Sequence, residues 1–177
     1  IELEYSPDII SVNPTTNMVY AAGGYSPAVI SIIDATTNTI SDTIELEYSP
    51  DIISVNPTTN MVYAAGGYSP AVISIIDATT NTISDTIELE YSPDIISVNP
   101  TTNMIYGADY YNFFYINATT KTLHTGTKDS PESYQQIISV NPTTNKIYLK
   151  EYDSNTISVI NGTTNTISDT IELEYSP

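Results

Sequence analysis

The chain has 177 residues, of which 40% are hydrophobic, and this is enough apolar material for a folded core. Its 21 acidic residues outnumber four lysines and give a formal charge of −17, which excludes charge attraction to nucleic acid and to anionic membranes. The absence of cysteine excludes disulfides and thiolate chemistry. No apolar run reaches the about 20 residues of a membrane-spanning helix, so we expect no membrane insertion of this segment.

A unit of 43 residues recurs along the chain: residues 1–43 and 44–86 are identical, 87–104 repeat 1–18, and 171–177 copy the opening seven residues. A fixed period of this size is typical of solenoids, propellers and repeat arrays, in which each unit buries its apolar faces against its neighbours. Because the chain begins within a repeat and has no signal-peptide pattern, we expect a mature product or a piece of a longer array.

Each unit contains four short segments rich in Ile, Val, Thr and Tyr, and in the first unit these predict strands at 8–12, 18–22, 28–33 and 39–47. The second and third segments are almost continuously apolar, as in strands covered on both faces. The fourth alternates, which indicates an outer strand with one face in water. No stretch has helical periodicity. The sequence therefore predicts an all-β fold, a β-propeller of four 43-residue blades, each with four antiparallel strands. A parallel β-helix is the alternative.

The segment Ser11-Val12-Asn13-Pro14-Thr15-Thr16-Asn17, its three later copies and residues 155–165 resemble the YVTN β-propeller repeats of archaeal and bacterial cell-surface and surface-layer proteins. The resemblance covers nearly the whole chain, although only the tyrosine of the tetrapeptide that names the family is kept, as Tyr20 in the first unit. It implies a secreted or cell-surface propeller with a structural or adhesive role. The chain has fewer units than the complete propellers of that family.

The repeat predicts one domain over residues 1–177, with blades at about 8–47, 51–90, 94–128 and 135–174 and with residues 1–7 as a redundant outer strand. Residues 1–4 and 171–174 carry the same Ile-Glu-Leu-Glu, and either copy could complete the outer strand of the fourth blade. We expect a closed four-bladed ring. The alternatives are an eight-bladed ring made by self-association of two chains through these terminal strands, and a segment of a longer array or filament with a structural role.

The two ends of the predicted blades differ in chemistry. Asn-Pro-Thr-Thr-Asn and Asp-Ala-Thr-Thr-Asn are turn sequences at one end, whereas Tyr-Ser-Pro connections occupy the other. Tyrosine offers a rigid ring with a polar tip, which suits a protein or glycan partner at the cell surface. The structural alternative is that each ring packs on its neighbouring proline. The candidate binding face consists of Tyr5, Tyr25, Tyr48, Tyr68, Tyr91, Tyr110, Tyr111, Phe113, Tyr134 and Tyr152.

The third unit departs from the repeat at residues 106–115, where aromatic residues replace small aliphatic ones and the connection is three residues shorter. This makes it a candidate for a unique site. The alternative is that the larger rings fill core volume, because cores require matched volumes.

Little in the sequence favours catalysis. His124 is the only histidine, so neither a histidine-based metal site nor a Ser-His-Asp arrangement with a spare histidine is available. We expect His124 at the surface of an outer strand. Glutamate pairs such as Glu2/Glu4 recur in successive blades, as solvated edges do, whereas a glycosidase needs two carboxylates in different environments. We expect no enzyme and no cofactor. A divalent cation in the channel, or an enzyme site near the channel or the third blade, is the alternative.

Two N-glycosylation sequons, Asn117-Ala118-Thr119 and Asn161-Gly162-Thr163, fall in predicted turns. The earlier units have Asp34 and Asp77 at the equivalent positions. Exposed turns are suitable acceptor sites, so the sequons support an extracellular location.

Overall fold

The computed structural model describes residues 1–68, 70–109, 112–125, 135–151 and 155–175. Within these residues the chain forms strands and turns, and consecutive strands pair antiparallel in four sheets of four strands, β1-β2-β3-β4 to β13-β14-β15-β16, which we call blades 1 to 4. The strands are β1 Pro7–Asn13, β2 Met18–Gly23, β3 Ala28–Asp34, β4 Thr39–Leu46, β5 Pro50–Asn56, β6 Met61–Gly66, β7 Ala71–Asp77, β8 Thr82–Leu89, β9 Ile95–Asn99, β10 Met104–Ala108, β11 Phe113–Asn117, β12 Thr122–Thr125, β13 Gln135–Asn141, β14 Lys146–Glu151, β15 Thr156–Asn161 and β16 Thr166–Glu172.

The predicted blades agree with these sheets to within a few residues at each end. The two terminal copies of Ile-Glu-Leu-Glu have the same sequence but differ in secondary structure. Residues 1–6 belong to no strand, which corrects the expectation of an outer strand at 1–7. Ile171 and Glu172, in contrast, pair with Ile157 and Thr156 in blade 4. The outer strand of blade 4 is therefore completed by its own hairpin, the local pairing with the smallest entropy cost of closure.

The chain divides into two compact units, Ile1–Ser92 with blades 1 and 2 and Pro93–Pro177 with blades 3 and 4. Each unit has its own core, because each blade is too thin to bury its apolar side chains alone.

In the first unit, blade 1 packs against blade 2 through one face of each sheet. We call the side of a blade that meets the next blade its forward face and the opposite side its backward face. The forward face of blade 1 contributes buried Tyr20, Ala22, Ile30, Ile32, Ile44 and Leu46. The backward face of blade 2 contributes Ile53, Val55, Val62, Ala64 and Ile76. Burial of these side chains at about 25 cal/mol per Å² of apolar area is the main stabilising contribution to this joint.

Blades 3 and 4 meet through the equivalent faces in the second unit. The forward face of blade 3 contributes Met104, Tyr106, Ala108, Phe113 and Tyr115, and the backward face of blade 4 contributes Ile138, Val140, Ile147, Leu149 and Ile160. The diverged units therefore keep the joint of the identical ones, with aromatic rings in place of isoleucines.

A β-bulge interrupts the pairing of β3 with β4 after Ile32, and the Ser41 hydroxyl donates a hydrogen bond to the Ile32 carbonyl at 3.0 Å. Ser84 and Ser168 repeat this bond in blades 2 and 4. Blade 3 has His124 at this position, and its outer pair is regular. The imidazole is exposed and stacks on the Tyr115 ring at 5.0 Å, which confirms His124 as a surface residue of an outer strand.

Candidate functional site

Antiparallel pairing places the first and third turns of every blade at one end and the Tyr-Ser-Pro connections at the other. At the turn end, the Asn13 side chain accepts a hydrogen bond from the Thr15 amide at 3.1 Å, and the Asp34 side chain accepts one from the Thr36 amide at 2.7 Å. Asn17 and Asn38 then adopt positive φ angles of 58° and 56°. Asparagine tolerates this left-handed conformation better than most residues, so the turn prediction is confirmed.

A hydrogen bond joins the two turns of each blade. The Asn17 side-chain amide donates to the Thr36 hydroxyl at 2.9 Å. Asn60, Asn103 and Asn145 donate in the same way to Thr79, Thr119 and Thr163. These side chains therefore have a structural role, as expected for residues at tight turns.

The same asparagines also connect neighbouring blades, which the sequence reasoning missed. In the first unit, the Asn13 side-chain nitrogen donates to the Asn60 side-chain oxygen at 2.7 Å. In the second unit, Asn99 donates to Asn145 at 2.8 Å. Asn13 and Asn99 are fully buried, and each bond satisfies a polar group that would otherwise be costly to bury. The presence of asparagine at both ends of the turn was the signal that could have indicated it.

The Tyr-Ser-Pro end presents two tyrosines almost completely to solvent: Tyr25 is 87% exposed and Tyr68 is 90% exposed. Each follows a glycine with a positive φ angle, Gly24 at 80° and Gly67 at 83°, where other residues would be strained. Glycine thus allows the backbone turn before each of these tyrosines, and the two rings themselves are almost fully in solvent. For these two residues, packing on the neighbouring proline does not cover the ring.

Tyr5 and Tyr48 are half-buried and behave differently. A β-carbon added at Gly67 would lie 3.2 Å from Cγ of Tyr48, so this ring packs closely over the glycine. The Tyr48 hydroxyl donates to the Glu47 carboxylate at 3.1 Å, and this bond is the main reason why the pKa of Tyr48 is raised. Partial burial, followed by the Glu4 charge, raises the pKa of Tyr5. These two rings support the exposed loops.

The other residues of the candidate binding face lie in three kinds of place: at the surface, in the core, or outside the described residues. Tyr91 is exposed. Phe113 is buried and stacks on Tyr106 with ring centroids 6.2 Å apart, so it belongs to the core and not to the surface. Four further members, Tyr110, Tyr111, Tyr134 and Tyr152, lie outside the described residues.

Within the described residues, the aromatic side chains of the third unit pack in the core with altered neighbours. Phe114 takes the place of Ser31, and Gly107, which takes the place of Ala21, lies opposite Phe114 in the sheet. A β-carbon at Gly107 would collide with the Phe114 ring. The loss of a methyl group thus accommodates the larger ring, as matched core volumes require.

Among the described residues, no cluster of three or more His, Asp or Glu side chains could hold a metal ion. Glu2 and Glu4 are exposed. The same residues include no helix with the length and hydropathy needed to cross a bilayer.

Both sequon asparagines end a strand and begin a turn. The Asn117 side-chain oxygen accepts hydrogen bonds from the Thr119 and Thr120 amides, and Asn161 accepts one from Thr163. Asparagine here repeats the turn geometry of Asp34 and Asp77. Within the described part of the chain, neither side-chain nitrogen donates a hydrogen bond, which leaves the atom that would carry a glycan without a partner.

No protein-family model matches the sequence, and no curated protein matches it either. Solved structures do match it. The β-propeller domain of Cps50 (Swd1) from Myceliophteria thermophila superposes with a TM-score of 0.80 at 9% identity, over 99% of this chain and 58% of that one. A chain of Kuenenia stuttgartiensis hydrazine synthase gives a TM-score of 0.79 at 14% identity, over 98% of this chain and 51% of that one.

A chain from the mitotic checkpoint complex gives a TM-score of 0.79 at 11% identity, over 99% of this chain and 54% of that one. The present chain thus spans between half and three fifths of the length of these structures. At such low identities the likeness establishes the fold and not the activity. The chain is a β-propeller built from four-stranded antiparallel blades.

Proposed function

We propose that the chain is a non-catalytic protein-binding module that uses the Tyr-Ser-Pro end of its blades. The observation that carries this proposal is the near-complete exposure of Tyr25 and Tyr68 on two loops of identical sequence. Burial of an exposed tyrosine ring by a partner stabilises the complex, and the tyrosine hydroxyl can still form a hydrogen bond at the interface.

The packing beneath these loops favours binding. Gly24 and Gly67 adopt positive φ angles, and the Tyr5 and Tyr48 rings pack against these two glycines. Packing of this kind at the base of a loop lowers the conformational entropy that is lost on association, so more of the contact energy appears as affinity.

The surroundings of the loops favour a basic partner. The carboxylates of Glu45 and Glu88 act on Tyr5 and Tyr48, respectively, and contribute to their raised pKa values. With a net charge of −17, the module attracts lysine- and arginine-rich surfaces and repels acidic ones. Arginine can also stack on an exposed tyrosine ring. One of the similar structures is a chain of a multiprotein complex, which fits a protein partner.

We place the module at the cell surface, as a YVTN-type repeat protein. Support comes from the resemblance of the Asn-Pro-Thr-Thr-Asn turns and from the two sequons, whose side-chain nitrogens have no hydrogen-bond partner within the described residues. Mass spectrometry of native material should find a glycan on Asn117 or Asn161. If both were bare, the sequons would no longer support this location.

Selection from a phage-displayed library of random linear peptides tests the binding function. We expect enrichment of peptides with lysine or arginine beside apolar residues, and at least tenfold weaker binding to the double variant Tyr25→Ser/Tyr68→Ser. The double variant Thr15→Ala/Thr58→Ala is the matched control, because it changes two exposed residues at the opposite end of the same blades.

Equal binding to the tyrosine variant and to the control would refute the proposed surface. The same two variants on a glycan microarray separate the two partner classes. Binding of neutral glycans without peptide enrichment would replace the protein partner by a sugar.

A further inference from the structure

The backward face of blade 1 is open, although the same face of blade 2 is covered. The comparison is direct because residues 1–43 and 44–86 are identical. Ile10 is 65% exposed and its counterpart Ile53 is 6% exposed. Val12 is 51% exposed, whereas Val55 packs against the core of the first unit. In blade 2 these side chains are covered by the forward face of blade 1, and this shows which kind of surface fits them.

The forward face of blade 4 is open as well. Ile171 is 41% exposed, whereas the equivalent Ile44 in blade 1 is 6% exposed. Tyr148 and Ile157 are half-buried, although their counterparts Tyr20 and Ile30 are fully buried. The chain therefore carries both halves of a blade-to-blade joint, one on blade 1 and one on blade 4.

The asparagine bond between blades gives a second, independent indication. At each joint seen within a unit, an asparagine nitrogen of one blade donates to an asparagine oxygen of the next: Asn13 to Asn60, and Asn99 to Asn145. Over the residues that the structure describes, the equivalent nitrogen of blade 4, in Asn141, has no acceptor. In the same described part of the chain, the equivalent oxygen of blade 1, in Asn17, accepts no hydrogen bond. These are the donor and the acceptor that the open joint requires.

We infer that the backward face of blade 1 is a docking site for the forward face of blade 4 of a second copy of this chain. Ile10 packs on the second copy's Ile171, and the second copy's Asn141 donates to Asn17. Because each copy carries both faces, two copies can cover each other's open faces in a dimer. This site shares no side chain with the proposed tyrosine surface.

Charge determines how this dimer should respond to salt. Each copy has a net charge of −17, so the two copies repel each other at long range while the apolar faces attract at contact. Salt screens the repulsion over about 10 Å at 0.1 M and leaves the apolar contact in place. Association should therefore strengthen as the salt concentration rises.

Sedimentation velocity of the full chain over a range of concentrations tests the inference. We expect the wild type to be a dimer, and Ile10→Asp and Ile171→Asp to be monomers. Tyr25→Asp is the matched control: it places the same charge at another exposed ring and should leave the dimer intact.

An equimolar mixture of Ile10→Asp and Ile171→Asp provides the decisive measurement. Each variant keeps one intact half of the joint, so the mixture should form a heterodimer, and its formation also shows that both variants are folded. A wild type that is monomeric at all concentrations, a dimer that survives Ile10→Asp, or a mixture that stays monomeric would overturn the inference. Loss of the dimer in Tyr25→Asp alone would assign association to the tyrosine surface instead.

Discussion

The joint between blades 1 and 2 and the joint between blades 3 and 4 use equivalent faces but satisfy different polar groups. In the second unit the Tyr106 hydroxyl donates to the Asn165 side-chain oxygen at 3.2 Å. In the first unit the equivalent Asn81 donates instead to the Asp42 carboxylate at 3.1 Å. The equivalent Tyr20 hydroxyl is buried without a hydrogen-bond partner among the described residues.

The two joints also differ at one outer-strand position. Blade 1 has Asp42 where blade 3 has Thr125, and Asp42 accepts the hydrogen bond from the turn asparagine of the next blade. The apolar faces thus define the joint, whereas its hydrogen bonds can be exchanged. We therefore expect substitutions in the apolar faces to lower stability more than substitutions of the hydrogen-bonding groups.

The largest effect should come from the apolar face itself. Ile53→Ala and Ile138→Ala each remove a buried side chain and should lower the free energy of unfolding by about 2–5 kcal/mol. Ile10→Ala is the matched control, because the same residue in the same sequence is exposed, and its effect should stay within about 0.5 kcal/mol. Urea unfolding at concentrations where the protein is monomeric measures all three. Equal losses at Ile10 and Ile53 would contradict the open face of blade 1.

The second largest effect on stability should come from the ionisation of buried tyrosines at alkaline pH. Burial raises the pKa of Tyr106 to about 12 from 10.0, so between these values the folded protein keeps a proton that the unfolded chain has lost. This contribution to stability is therefore fully present below pH 10 and is lost as the pH rises through 12, by about 3 kcal/mol at most for this residue. Urea unfolding at pH 9 to 12 should show a shallower decline for Tyr106→Phe than for the wild type. The same dependence of stability on pH in both proteins would contradict the contribution of Tyr106 to the alkaline loss of stability.

The two tyrosine hydroxyls should differ in a matched pair of substitutions. Tyr106→Phe removes a hydrogen bond to Asn165 and should cost about 1 kcal/mol. Tyr20→Phe removes a buried hydroxyl that has no partner among the described residues and should be neutral or stabilising. Thermal and urea unfolding of both variants would check this. A larger loss for Tyr20→Phe than for Tyr106→Phe would reverse the comparison between the two joints.

The smallest effect should appear in acid. The Thr36 and Thr79 amides lower the pKa of Asp34 and Asp77 below 3.8. Their stabilising contribution is present above pH 3.8 and is lost as the pH falls through the lowered values. Asp34→Asn/Asp77→Asn gives these turns the amide that the second unit already has and should make stability less dependent on pH below 4. The measurement requires a host without N-glycosylation. An unchanged acid profile would assign the dependence to other carboxylates.

The repeat and its turn chemistry were sufficient to predict the blades. Asparagine and proline at fixed positions mark where each strand ends, and the alternation of the fourth segment identifies the outer strand, so the strand bounds follow from local sequence. The same reasoning placed Tyr25 and Tyr68 in loops, but it did not predict their exposure, because each ring could equally have packed on Pro27 or Pro70.

Coverage of a face could not be predicted, and the two identical units show why. Ile10 and Ile53 have the same neighbours in sequence, yet one is exposed and the other is buried, because burial depends on which blade lies opposite. Phe113 was assigned to the candidate binding face, and the alternative, that the larger rings of the third unit fill core volume, is the one observed for it. Its ring lies in the core because a neighbouring blade supplies the apolar surface that covers it.

The equivalence of aspartate and asparagine at the third turn has an evolutionary consequence. Thr36 and Thr79 already stand two residues after Asp34 and Asp77, and both aspartates make the same turn contact as Asn117 and Asn161. One substitution in either unit would therefore create a new glycan acceptor without altering the turn. Duplication of this repeat therefore multiplies the positions at which a sequon can be gained or lost by a single substitution.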